Sequence, residues 1–280
     1  MLAAMLALLG GCSAVRFAYD RAPVLVYWWL DGYVDFDDAQ KPRVRAAIAG
    51  WFAWHRRSQL VDYADLLARA ETEALADTTP ERACQWWHEL QRRVDAATDA
   101  LAGPAAELVV TLTPAQIDHI ERRYARYNDD FRDDFLQQDA AERREATEKR
   151  TFERAQMLYG RLDDGQRTVV RQLLAESPFD PEAWFAERRY RQQEALQAMR
   201  RLVADHASRD EAEAALRVYF AHMKESPREA YRAYQTELTR YNCAFTARLH
   251  NRTTAAQRQA AVRKLKGWES DLRALAAATP

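Results

Sequence analysis

Glycine and proline are scarce in this chain, at 8 and 9 of 280 residues. Turns are therefore few and regular elements long. So little glycine leaves no phosphate-cradling loop, and no Gly-x-Ser-x-Gly nucleophile turn occurs. Net charge is nearly absent, at -1 from 41 basic and 42 acidic residues. That argues against a sequence-nonspecific nucleic-acid binder. Beyond the first residues, no run approaches the ~20 apolar residues of a membrane span. The six histidines are at 55, 88, 119, 206, 222 and 250. None stands in His-Glu-x-x-His or has Glu three residues before it, which removes the helical zinc-protease and di-iron patterns. The acidic stretch "NDDFRDDF" (128–135) lacks the spacing and glycine of an EF-hand loop. No catalytic residue, metal or cofactor is expected.

What the chain has in abundance is Ala, Leu, Arg, Glu and Gln, all good helix formers. The expected fold is all-α: a multi-helix bundle of antiparallel helices with short, capped connections. "VLVYWWLDGYVDF" (24–36) reads as a buried helix carrying Trp28 and Trp29. The segment 46–76 has helical spacing with a break near Ser58. Thr79-Pro80 and Asp180-Pro181 are helix starts, each a cap followed by Pro at the first helical position. Ser208-x-x-Glu211 and Ser226-x-x-Glu229 read as capping boxes. A long polar helix is expected from Thr113 to Tyr159, its charge run at 140–156 forming a solvated face held by i,i+4 pairs. The short stretch 107–112 suits strand or helix. "ESPFDPEAW" (176–184) is the strongest break in the second half and sets a sub-boundary near 176–181.

A five-residue pattern recurs at unequal intervals: "FDDAQ" (36–40), "LTPAQ" (112–116), "LDDGQ" (162–166) and "TTAAQ" (253–257). Aligned on Gln, the pairs are Asp37/Gln40, Thr113/Gln116, Asp163/Gln166 and Thr254/Gln257. In each, Thr or Asp precedes Gln by three residues, ahead of an amphipathic helix. That is the capping box: the side chain takes the N3 amide, and the Gln returns to the cap amide. Pro42 fits the first copy poorly, which moves its expected cap to Asp38.

The N-terminus carries a different signal. Residues 2–9 are apolar, and Gly10-Gly11 precede Cys12, as a processing site requires. Leu9-Gly10-Gly11-Cys12 resembles a bacterial lipobox. The resemblance implies a signal peptide at 1–11, acyl chains on Cys12, a tether over 12–23, and a periplasmic helical domain over 24–280. Ser13 in place of Asp points to the outer membrane. An oxidising periplasm would permit a disulfide between Cys84 and Cys243; the other reading is two buried thiols on separate helices.

Two further resemblances extend beyond the N-terminus. Leu112, Thr113 and Gln116 resemble the Leu-Thr-x-x-Gln motif of Spy/CpxP-type periplasmic helical chaperones. The stretches "YWWLDGYVDFDDAQ", "WFAWHRRSQLVDYADLL", "YGRLDDGQR", "SPFDPEAWFAERRYRQQ" and "TTAAQRQAAVRKLKGWESDLRAL" resemble an uncharacterised family of proteobacterial helical lipoproteins. Val61 stands where that family's pattern has Pro. This second resemblance implies a lipid-anchored helical protein and brings no established activity.

The tryptophans crowd the first third. Trp28, Trp29, Trp51, Trp54, Trp86 and Trp87 read as a shared aromatic core, or as an exposed cleft for apolar segments or acyl chains. With Arg56 and Arg57 they form the candidate binding surface, the arginines suiting cation–π contact or an anionic headgroup. The expected function is binding, either chaperone-like toward envelope proteins or as a scaffold with one fixed partner. An enzyme or enzyme accessory ranks third. The expected partners are the membrane, through the lipid anchor, and an envelope protein, with no nucleic acid.

Overall fold

The structure is a computed structural model that describes residues 14–137 and 139–278. The expected signal segment and the lipidation site Cys12 lie outside the described residues. Twelve α-helices and no strand occur among those described: α1 Ala14–Val34, α2 Gln40–Ser58, α3 Leu60–Glu73, α4 Pro80–Asp99, α5 Ala102–Val109, α6 Pro114–Phe135, α7 Ala140–Tyr159, α8 Asp164–Ala175, α9 Pro181–Ala204, α10 Arg209–Lys224, α11 Glu229–Asn251 and α12 Ala255–Ala277. The chain is an all-α helical bundle, as expected.

Two compact units divide the chain. The first holds the described residues up to Thr72 and from Val262 onward; the second holds Glu73–Ala261. The boundaries therefore fall at the ends of Thr72 and Ala261. The turn at 176–181 lies inside the second unit, where it joins α8 to α9. Proline there starts a helix without separating two cores, because α11 reaches both sides of the turn: Tyr241 donates to the Leu173 carbonyl of α8, and Arg191 of α9 lies over Tyr231.

In the first unit, α1 packs on α2. Tyr27, Val44, Ile48, Leu60 and Leu66 are buried, together with Leu265 and Leu275 of α12. In the second, α4 packs along α11, α5 along α10, and α6 along α9. One core cluster joins Phe152 and Ala155 of α7 to Leu162, Val170 and Leu249. Another joins Ala106 of α5 to Leu202 of α9 and Ala212 of α10.

The caps explain where helices begin. Thr79 Oγ1 accepts from the Arg82 amide at 3.2 Å, ahead of Pro80. Asp180 accepts from the amides of Glu182 and Ala183. Complete capping boxes form at Thr113/Gln116, Asp163/Gln166 and Ser208/Glu211. Thr254 and Gln257 exchange the same two bonds. Scarce glycine has a visible consequence at the other ends. A left-handed residue commonly terminates a helix, and here Asp35 and His206 hold positive φ as well as Gly160. Asp35 is assisted by Asp31, whose carboxylate accepts the Phe36 amide at 3.1 Å.

Several expectations require correction. Residues 14–23 are the first half of α1, with Pro23 inside it, and not a tether. Tyr19 and Tyr27 pack against α2 on either side of Pro23. The segment 24–36 is not buried all round: Trp28 and Trp29 are exposed while Tyr27 is buried. The helix expected over 113–159 is two helices, broken after Phe135 and restarted by Asp139, whose carboxylate accepts the Ala141 amide. Glu148 of its charge run pairs across helices, with Arg171 of α8 at 3.0 Å, rather than along α7. Of the two readings of residues 107–112, the helical one holds: they finish α5 and turn. Ser226 caps no box with Glu229; it is buried and its hydroxyl accepts the Arg228 amide two residues on. In the first Q-motif, Asp37 takes the Gln40 amide and Gln40 returns to the Asp37 amide, while Asp38 pairs with Lys41. The break near Ser58 forms without Pro: the backbone is interrupted at Gln59, and the Ser58 hydroxyl donates back to the Trp54 carbonyl. Such back-bonding competes with the helix ladder and bends it.

Candidate functional site

The six early tryptophans do not form one core. Trp28, Trp29, Trp51 and Trp54 belong to the first unit, Trp86 and Trp87 to the second. In the first unit, α2 presents Trp51, Trp54 and His55 on successive turns. Trp51 stacks on His55 with centroids 4.7 Å apart, and Phe52 meets Tyr19 of α1 edge-on at 5.6 Å. Tyr63 of α3 closes the cluster against His55. Tyr19 and His55 Nδ1 share a hydrogen bond of 2.9 Å. Burial raises the Tyr19 phenol to about 12 and lowers the His55 imidazole. The rings of this cluster are half-buried and packed on one another.

Arg56 lies over the Tyr19 ring at 5.3 Å, pairs with Asp20 at 2.9 Å, and donates to the Leu275 carbonyl. A cation–π partner of Arg56 is thus a tyrosine on α1. Arg57 is exposed.

In the second unit, Trp86 turns inward: its Nε1 donates to Glu73 at 2.9 Å, and Arg82 binds both oxygens of the same carboxylate. Trp87 turns outward. With Leu90 and Val94 it makes an i, i+3, i+7 stripe on α4, each side chain 45% to 64% exposed. Behind that stripe, Cys84 of α4 is bonded to Cys243 of α11 as a disulfide, Cα to Cα 5.2 Å. The helix carrying the stripe is thereby clamped to its partner across 159 residues of sequence.

Sequence reasoning missed a recess between α9 and α10. Tyr190, Glu194, Arg201 and Tyr219 line about 400 Å³. His222 Nδ1 contacts Glu194 there, and burial raises the Tyr219 phenol. These residues sit at ordinary helical spacing on two helices, so nothing in the linear pattern marks them. Among the described residues, no group of three or more His, Cys, Asp or Glu is arranged to hold a metal ion.

Taken together, these features define an all-α protein with exposed apolar helix faces and internal polar pairs. The chain belongs to a family of unknown function, DUF6279, whose model matches residues 32–216. The match starts near the end of α1 and stops within α10. No curated protein and no solved structure matches the chain. No helix among the described residues is long and apolar enough to cross a membrane.

Proposed function

We propose that this protein is a periplasm-facing lipoprotein of the outer membrane, anchored through Cys12, that works by binding an apolar segment of another envelope polypeptide. The observation that carries the reading is the Trp87–Leu90–Val94 stripe, apolar side chains left outside on a helix that a disulfide ties to α11. Exposed apolar patches on folded proteins mark interaction sites. A disulfide persists in an oxidising compartment, which supports export. Leu112, Thr113 and Gln116 lend the chaperone resemblance less support, because their capping box already accounts for them.

The test is suppression of client aggregation, followed by light scattering, with the unlipidated chain at stoichiometric amounts. Trp87→Glu with Leu90→Glu should abolish suppression while leaving far-UV circular dichroism unchanged. Equal suppression by that variant would sink the reading. Crosslinking in cells from position 90 separates a chaperone, which yields many partners, from a scaffold, which yields one. The anchor is tested separately: Cys12→Ser should end labelling by a radioactive fatty acid.

A further inference from the structure

The helix α1 solves a packing problem on one side only. Tyr19 and Tyr27 face α2, where Arg45 lies over the Tyr27 ring at 4.2 Å and the Tyr19–His55 pair forms. Among the described residues, none covers the opposite face. Phe17, Val24, Leu25, Trp28 and Trp29 are each 55% to 62% exposed. At about 100° per residue they fall on one side of the helix, with Arg21 as the charged side chain among them. From Ala22 to Leu30 there is no charged residue.

We propose that α1 is an interfacial helix, its exposed face embedded at the headgroup–acyl boundary of the phospholipid bilayer that holds Cys12. The inference rests on the reading of Cys12 as acylated and deepens it. Three observations select a bilayer over other occupants. The chain between the acylation site and α1 is one residue, Ser13. A residue spans at most about 3.6 Å, so an acylated Cys12 keeps the start of α1 within the headgroup layer. The exposed side chains include two tryptophans, which favour that layer because an apolar ring and a polar N–H are both accommodated there. Charge is complementary as well. At the N-terminal end Arg16, Arg21 and Arg56 line a recess of about 350 Å³ with Phe17 and Asp20. Asp20 pairs with Arg56 and Asp271 with Arg16, so the three guanidinium groups leave an excess of one positive charge there, the sign that a lipid phosphate matches. The helix lies along the surface, because it is not long and apolar enough to cross. Acyl chains and an apolar helix face would then act as two linked attachments, each raising the effective concentration of the other.

The experiment uses the chain from residue 12 with Cys12→Ser, which keeps every described residue. Its partition is measured by co-sedimentation with vesicles of phosphatidylethanolamine and phosphatidylglycerol, and with phosphatidylcholine vesicles. Quenching of tryptophan fluorescence by brominated acyl chains reports depth. The expected result is binding to the anionic vesicles with quenching, weaker binding to phosphatidylcholine, and loss of about tenfold or more in Leu25→Asp and in Trp28→Ser/Trp29→Ser. Both variants alter exposed side chains, and unchanged circular dichroism confirms their fold. Absent binding, or binding that both variants retain, overturns the proposal. So does a vesicle-free dimer that either variant dissolves, which would assign the face to a second copy. Fatty-acid labelling of Cys12 is read independently. A labelled protein whose unlipidated form ignores vesicles defeats the interfacial helix and leaves the lipoprotein reading standing. Vesicle binding in an unlabelled protein does the reverse.

Discussion

Gln166 and Gln257 hold each other by their side-chain amides: Gln166 Nε2 donates to Gln257 Oε1 at 2.6 Å, and Gln257 Nε2 donates to Gln166 Oε1 at 2.9 Å. Each Oε1 also accepts its own cap amide, from Asp163 or Thr254. Each Nε2 donates a second bond to a carbonyl, of Arg252 or Arg161. Two capping boxes are thus interlocked, and the starts of α8 and α12 are fixed side by side with every amide proton and lone pair in use. Groups in one such network couple by about 0.5–3 kcal/mol. Gln166→Ala and Gln257→Ala should each cost about 1–3 kcal/mol in urea unfolding. The double variant should cost clearly less than their sum. Strict additivity would show that the mutual pair contributes nothing.

The disulfide between Cys84 and Cys243 should make a measurable share of the stability. Constraining so long a loop in the unfolded chain is worth about 2–5 kcal/mol. Cys84→Ser/Cys243→Ser should lower Tm by several degrees, and reductant should lower the native Tm to match while leaving the variant unmoved. A native Tm indifferent to reductant would contradict the bond. The same variant should weaken client binding if the α4 stripe needs a rigid support.

Glu187 is a buried carboxylate in the second unit. It is 1% exposed on α9 and pairs with Arg191 at 2.9 Å and Arg228 at 3.3 Å. Removing the carboxylate costs about 1–3 kcal/mol, less than for a fully buried pair, because Arg191 and Arg228 keep 24% and 42% of their side chains exposed and water takes the place of Glu187. Glu187→Ala should approach that cost in chemical denaturation. Glu187→Gln should recover part of it by keeping hydrogen-bond acceptance. Equal stability of all three proteins would mean the carboxylate is in water.

The Tyr19–His55 pair predicts a stability optimum with two limbs. Burial holds His55 below its ordinary 6.5, so below that pH the unfolded chain takes up a proton that the folded chain resists. Stability should fall as pH drops from about 7 to 5. Burial holds Tyr19 at about 12 against an ordinary 10.0. There the unfolded chain loses a proton that the folded chain keeps, so stability should fall as pH rises from 10 toward 12. His55→Phe should flatten the acid limb of a Tm profile, and Tyr19→Phe should reduce the alkaline one. Tyr124 and Tyr159, also raised to about 12 by burial, leave part of the alkaline limb in place. An acid limb unchanged in His55→Phe would assign it to other groups.

Much of the local structure was legible because it is decided within three or four residues. Thr113 and Gln116, Asp163 and Gln166, Ser208 and Glu211 each close a box whose partners are fixed by spacing alone. Ser226 failed the same reading: its side chain is drawn into a buried turn, where it meets the Arg228 amide and Arg232 donates to its carbonyl. The break at 136–139 was hidden because the residues around it are good helix formers, and tertiary contacts such as Arg150 over Phe135 at 4.5 Å act across the turn. Of the expected binding surface, Trp87 lies on an exposed stripe, Trp86 is turned to Glu73, and Arg56 is engaged by Tyr19 and Asp20. Leu90 and Val94 complete the stripe but carry no signal until α4 has a neighbour.

By itself the sequence determined the helical class and most helix starts, since propensity and capping act along the chain. It also limited the cysteines to two alternatives. Tertiary structure alone decided that Cys84 meets Cys243, that Gln166 meets Gln257, and which of two adjacent tryptophans faces water. An amphipathic helix announces that it has an apolar face. Which of its faces is covered depends on what distant segments pack against it, and that is a property of the assembled bundle.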